Sequence, residues 1–206
     1  CQVLWAMGIH GPNTIAAVRD TMFAEAVNSN VLYAAQHGTA WGAPFPVTFN
    51  GLFDAFGAYG GSGATLGLVI ALILFSKAKD QKSIAKLSLA PGIFNINEMV
   101  IFGLPIILNP IYIIPFVLAP IVNIIIGYSA TCIFKIIPPV AYGVPWTTPG
   151  PLIPFLGTGG NVLALLIGVL CLAVSVLIYA PFVIAAGKAS QVDDDNSEKD
   201  TTEGLA

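Results

Sequence analysis

Residues 136–187 form a run of 52 that contains no Asp, Glu, Lys or Arg. Three further charge-free runs cover residues 1–18, 55–76 and 99–134. A bilayer core is about 30 Å thick and is crossed by about 20 apolar residues in a helix. Hydrophobic residues make up 56% of the chain and charged residues 9%, where a soluble domain carries roughly a quarter charged. The expected fold class is therefore an all-α membrane protein, with several transmembrane helices and two re-entrant or broken-helix segments. A soluble enzyme, a zinc protein, a secreted disulfide module and a basic nucleic-acid binder are all disfavoured. The cysteines Cys1, Cys132 and Cys171 lie at no metal-ligand spacing, and neither a metal nor a cofactor is expected.

The runs differ in how they suit a span. Residues 55–76 match one crossing, ended by Ser76 and Lys77, with Gly57, Gly60, Gly61, Gly63 and Gly67 allowing close packing or an unwound segment. Residues 99–134 are too long for one crossing and too short for two. Pro105 and Pro110 break them early, predicting a re-entrant piece and then a span near 111–133. Residues 136–187 carry six prolines in their first half, and a clean helix is expected only from about Asn161 to Ala186. Ten of the 15 prolines fall between Pro105 and Pro154. Broken backbone at membrane depth survives only where protein or a watery cavity covers it. Two interrupted segments in one chain point to a transporter's binding site, the alternative being ordinary proline-kinked helices.

Charge sets the orientation and the ends. Lys77, Lys79, Lys82 and Lys86 cluster in what reads as one short loop, and Lys188 ends the last helix. The positive-inside rule puts that loop and the C-terminal tail in the cytoplasm of a multi-pass protein. Residues 19–54 are more polar and read as a short helix and a loop at the membrane edge. Six of the 11 acids lie after Lys188, leaving seven bases and five acids in residues 1–188. Residues 188–206 are therefore expected to be a disordered acidic tail, and residues 1–187 the functional part. The chain opens inside an apolar stretch, without Met and without a signal peptide's basic flank, so an N-terminal part is expected to be missing.

Glu98 is the most informative side chain. It is the only acid between Asp80 and Asp193, it adjoins a charge-free run, and it sits in Asn95-Ile96-Asn97-Glu98. An intramembrane carboxylate is costly enough to be functional by default, and the amides of Asn95 and Asn97 suit a hydroxyl-rich ligand. The competing reading is an interfacial acid that caps a helix or pairs with an upstream lysine. His10, in Gly8-Ile9-His10-Gly11-Pro12, either reaches a cavity or is a hydrogen-bonded interface residue. Trp146 lies within the proline-rich segment, where an indole can stack on a sugar ring beside the hydroxyls of Thr147 and Thr148. Trp41 suits a membrane-interface belt, and Asp54 is a weaker candidate that can simply end a helix. Gly60-Gly61-Ser62-Gly63 lacks the lysine of a phosphate loop, and no Ser-His-Asp triad is visible.

The stretch from Phe94 to Pro110, FNINEMVIFGLPIILNP, resembles the signature of the membrane-embedded IIC component of bacterial phosphotransferase systems, in the lactose/cellobiose/diacetylchitobiose family. Met99 stands where that family's motif usually has proline. Gly60–Gly67 and Gly8–Gly11 are also similar to family segments in the right order, and the likeness covers residues 1 to about 187. The resemblance implies a sugar-translocating component of a protein-phosphohistidine-sugar phosphotransferase in the bacterial cytoplasmic membrane. It implies a β-linked disaccharide substrate whose 6-hydroxyl is phosphorylated by the phosphocysteine of a IIB partner, itself served by IIA. It implies a homodimer in the full-length form, with this chain as the C-terminal, sugar-holding half. By that analogy Glu98 (general base) and His10 contact the sugar near the reacting hydroxyl, Trp5 and Trp146 line the pocket, and Asn95 and Asn97 belong to the same loop. Two other readings compete: a proton-coupled secondary sugar transporter using Glu98 and His10, and a non-transporting remnant.

Overall fold

The computed structural model describes residues 1–104, 106 and 109–203, with side chains described up to Gly187 other than Ala6. Every regular element among them is helical. The α-helices are α1 (Gln2–Ala6), α2 (Gly11–His37), α3 (Thr65–Phe75), α4 (Lys79–Ile93), α5 (Glu98–Gly103), α6 (Pro110–Tyr128), α7 (Leu152–Gly157) and α8 (Val162–Glu203). Two π-helices, Asn50–Gly57 and Ser129–Ile133, complete the set.

Two stretches are long and apolar enough to cross a bilayer, Pro110–Ile133 and Val162–Gly187. Both match the expected spans. Pro110 opens α6 at a position where its missing N–H costs nothing, and the Asn109 side chain caps the helix by accepting from Ile111 N at 2.9 Å. On α6, Ile114, Leu118, Ile121 and Ile125 are exposed at helical spacing, and on α8 so are Leu163, Leu166, Leu170 and Leu177. Such apolar stripes suit lipid. Their opposite faces pack on each other, α8 also packs on α3, and Leu68, Leu72, Phe116, Tyr179 and Val183 are fully buried in the shared core. Polar contacts join the helices inside this core. Asn123 Nδ2 donates to Ser175 Oγ at 2.8 Å, and Gly67 lets α3 approach Ser175 so closely that a Cβ would come within 2.5 Å of the serine's own.

Four expectations change. Residues 55–76 are not one spanning helix: the π-helix ends at Gly57, a glycine turn follows, and α3 occupies only 11 residues. Positive φ at Gly60, Gly61, Gly63 and Ala64 turns the backbone in a way that no apolar-run count reveals. Residues 19–54 are not a short helix with a loop, because α2 continues for 27 residues until Gly38 ends it in the left-handed conformation. The lysine cluster is not a loop either: Lys79, Lys82 and Lys86 ride on the first turns of α4. The backbone of α8 also runs on as helix to Glu203, past the 188 boundary that composition suggests. Extending a formed helix adds one hydrogen bond per residue without a new nucleation cost.

Candidate functional site

A cavity of about 560 Å³ opens where the broken segments meet, within the size range of small-molecule sites. Its walls come from α1, the start of α2, the π-helix Asn50–Gly57, the glycine turn, the segment before α5, and residues 144–146. Trp5, His10, Asn95, Asn97, Glu98 and Trp146 all line it. Every site residue expected from the sequence is therefore brought to one space.

His10 is set by a helix start. It is the N-cap of α2, and its Nδ1 accepts a hydrogen bond from Asn13 N at 3.2 Å. An imidazole nitrogen that accepts cannot carry a proton, so the neutral ring holds its proton on Nε2. His10 thus offers the cavity a donor. The Trp5 ring lies against it, with centroids 4.7 Å apart at 54°. Trp5 is only 4% exposed, and its indole N–H has no hydrogen-bond partner among the described residues. A buried donor left unmade costs about 1–3 kcal/mol.

Glu98 opens α5 and is exposed to the cavity. It has no hydrogen-bond or ion-pair partner among the described residues, where the single ion pair is Arg19–Asp20 at 2.6 Å. The upstream lysines do not neutralise it. Trp146 is 61% exposed, an indole presented rather than packed. Thr147 and Thr148 are not on the wall.

Asn95 and Asn97 spend their amides on backbone. Asn95 adopts a left-handed conformation with φ 64°. Its Oδ1 accepts from Gly60 N at 2.8 Å, and its Nδ2 donates to Trp146 O at 2.6 Å and Thr148 O at 2.8 Å. Asn97 Nδ2 donates to Ser62 O at 2.9 Å. These amides pin the glycine turn and the Trp146 segment to the loop that carries Glu98. Gly61 is required for that closeness, since a Cβ there would meet the Asn97 amide at 2.7 Å.

The cavity also has a wall that sequence reasoning undervalued, made by Arg19, Asn50, Phe53 and Asp54. Asn50 Nδ2 donates to Asp54 Oδ2 at 3.0 Å. The Phe49 and Phe53 rings stack at 4.7 Å, and the Arg19 guanidinium lies 4.7 Å above Phe49. Asp54 lies outside both spanning helices. Burial pushes its carboxyl up to about 6, against the opposing pull of Arg19. The i, i+4 spacing of Asn50 and Asp54 was the available signal, but only the fold shows that this pair faces the same space as Glu98.

Comparison with known proteins decides the family. Residues 1–120 match the family model for "Phosphotransferase system, EIIC". The chain belongs to the EIIC family. It is 42% identical to the cellobiose-specific EIIC component of Lactococcus lactis, over 94% of this chain and 42% of that protein. It is 37% identical to the lichenan permease IIC component of Bacillus subtilis, over 87% of this chain and 39% of the relative. It is 33% identical to the lactose-specific EIICB component of Staphylococcus aureus, over 98% of this chain and 35% of the relative. Among solved structures, the crystal structure of ChbC, the IIC component of an N,N'-diacetylchitobiose-specific system, superposes with a TM-score of 0.86 at 38% identity. That match covers 94% of this chain and 44% of ChbC. The chain thus spans about two-fifths of the length of the relatives it matches, and it has the helical membrane fold of EIIC transporters. No group of His, Cys, Asp and Glu side chains suited to a metal occurs among the described residues of this EIIC chain.

Proposed function

We propose that the chain forms the sugar-holding part of an EIIC transporter. In this reading it binds a β-linked disaccharide in the cavity and presents the 6-hydroxyl to a phosphocysteine on a IIB partner. One observation carries the reading: Trp5, His10, Glu98 and Trp146, up to 141 positions apart, wall a single cavity that includes a buried unpartnered donor. The relatives' names support the substrate class and, through the EIICB fusion, the partner.

The roles follow from chemistry. Trp146 offers an aromatic face to the sugar's C–H face, and the Trp5 N–H and His10 Nε2–H are donors to its hydroxyls. Glu98 accepts the proton of the 6-hydroxyl as that oxygen bonds to phosphorus, while the S–P bond of the phosphocysteine breaks and the thiolate leaves. His10, committed as a donor by its N-cap bond, orients rather than deprotonates. Glu98 is open to the cavity, so its desolvation comes with the sugar. The product carries close to two negative charges, which weakens its hold beside a carboxylate and opposes return through the bilayer. The positive-inside rule puts the Lys77–Lys86 region and the C-terminal end on the cytoplasmic side, where IIB docks and IIA reaches it indirectly. Homodimerisation belongs to the full-length form, and lipid surrounds the exposed faces of α6 and α8.

The test is uptake into vesicles containing the full-length protein. Uptake is expected to need phosphorylated IIB, to ignore a protonophore, and to fall at least 100-fold in Glu98→Gln, about the size of a general-base contribution, while sugar binding survives. Collapse of uptake by the protonophore without any phosphodonor favours a proton-coupled secondary transporter. Unchanged coupled uptake in Glu98→Gln removes the carboxylate from the mechanism.

A further inference from the structure

The outward face of α4 changes character halfway along the helix. We propose that this face binds an anionic phospholipid, with the phosphodiester headgroup on Lys79, Lys82 and Lys86 and an acyl chain along Leu87, Ile93 and Phe94. The inference stands apart from the sugar cavity and from the reading built on it.

The face follows from how α4 packs. Helices α3 and α4 form an antiparallel hairpin, in which Gly92 near the end of α4 lies beside Leu66 at the start of α3; a Cβ on Gly92 would meet the Leu66 side chain at 3.7 Å. Ala85, Ser88 and Gly92 make the buried side of α4. At 3.6 residues per turn, the opposite side carries Lys79, Lys82 and Lys86 over its first half. The same side then turns apolar, with Leu87 65% exposed, Phe94 at the helix end 51% exposed, and Ile93 exposed between them.

Three observations select the occupant. First, the lysines are not answered by the protein. The single ion pair among the described residues is Arg19–Asp20. Asp80, the only acid on α4, sits in its first turn, where a carboxylate offsets the positive end of the helix itself. Second, the lengths fit a leaflet. At 1.5 Å per residue, the basic stretch from Lys79 to Lys86 covers about 10 Å, and the apolar stretch from Leu87 to Phe94 covers about the same. A bilayer has about 5–8 Å of headgroup region on each side of its hydrocarbon core, and lysine stems lie along apolar surface while their ammonium groups reach toward phosphates. Third, charge and apolarity follow each other on one helix face, in the order of a lipid's head and tail. An acidic soluble protein or a free phosphate would match the lysines and leave Leu87, Ile93 and Phe94 uncovered. A neutral lipid would do the reverse.

The test places the full-length protein in phosphatidylcholine vesicles doped with phosphatidylglycerol whose acyl chain carries a photoactivatable diazirine. Each lysine near an anionic surface contributes about fivefold in affinity. Labelling of residues 87–94 by this probe is therefore expected to exceed, by at least tenfold, labelling by phosphatidylcholine with the same chain. Replacing all three lysines (K79Q, K82Q and K86Q together) is expected to abolish the preference while phosphatidylcholine labelling stays within about twofold, which shows that the helix still faces lipid. Wild-type protein in about 1 M salt, where charges are screened beyond about 3 Å, is expected to lose the preference too, and it decides the matter if the triple variant fails to insert. Equal labelling by the two lipids in wild-type protein overturns the site, as does a preference that survives either treatment. Absence of labelling by both lipids also overturns it, because this face is then covered by protein.

Discussion

At the scale of residues, the site separates side chains that act from side chains that hold. Glu98 is unpartnered and open to the cavity, whereas Asn95 is only 7% exposed and fully engaged with backbone. The sequence pattern NINE suggests three equivalent ligand-facing groups, and only the tertiary fold separates them, because an amide looks the same whether it meets a sugar or a carbonyl. Asp54 gives a residue-scale prediction with a definite sign. Its carboxyl is raised to about 6 in the folded protein, above the unfolded value of about 3.9. The folded state therefore binds the proton more tightly than the unfolded chain does. Relative stability is highest below pH 4 and is lost as pH rises to about 6. Asp54→Asn is thus expected to raise the melting temperature by about 2–4 °C at pH 8 and to have no effect at pH 4. A thermal melt at the two pH values checks this, and an equal effect at both contradicts it.

At the scale of elements, the long apolar helices and the proline-broken segments before α6 and α8 were legible, and the break inside 55–76 was not. The spans at 110–133 and from 162 onward follow from hydropathy and proline placement, which act locally. The break inside 55–76 depends on glycines whose left-handed conformations are stabilised by partners far along the chain, such as Asn95 at Gly60 and Tyr179, which donates to Gly63 O at 2.6 Å. Helix α2 is hidden in the sequence for the opposite reason. Apart from Gly11, Asn30 and Ala34 its described residues are half-buried or exposed, so no apolar stripe marks it. The clasp at Asn95 joins three such pieces and can be tested as a unit. Asn95→Ala is expected to cost about 1–3 kcal/mol of stability through the carbonyls and amide it orphans. Asn95→Asp should be worse, since it sets a carboxylate against two carbonyl oxygens. Chemical or thermal unfolding of both variants is the check, and an aspartate tolerated as well as alanine would refute the clasp.

At the scale of the whole molecule, the fold places a polar, broken-backbone region beside a bundle of α3, α6 and α8 whose core and outer face are mainly apolar. Irregular backbone survives at membrane depth only where protein or a watery cavity covers it, so the cavity and the broken helices are one feature seen from two sides. Composition made the membrane setting legible, and the NINE motif made the family legible. The second wall of the cavity was not, because it forms only when the π-helix turns Asn50 and Asp54 toward the same space as Glu98, 44 positions beyond Asp54.

The most direct measurement is a structure of the full-length protein with its disaccharide bound. The expected result is a sugar 6-oxygen within about 2.6–3.2 Å of the Glu98 carboxylate, with the Trp146 indole against the same ring and the Trp5 N–H bonded to a hydroxyl. A disaccharide bound elsewhere, or one in this cavity with Glu98 turned out of reach of every hydroxyl, would contradict it.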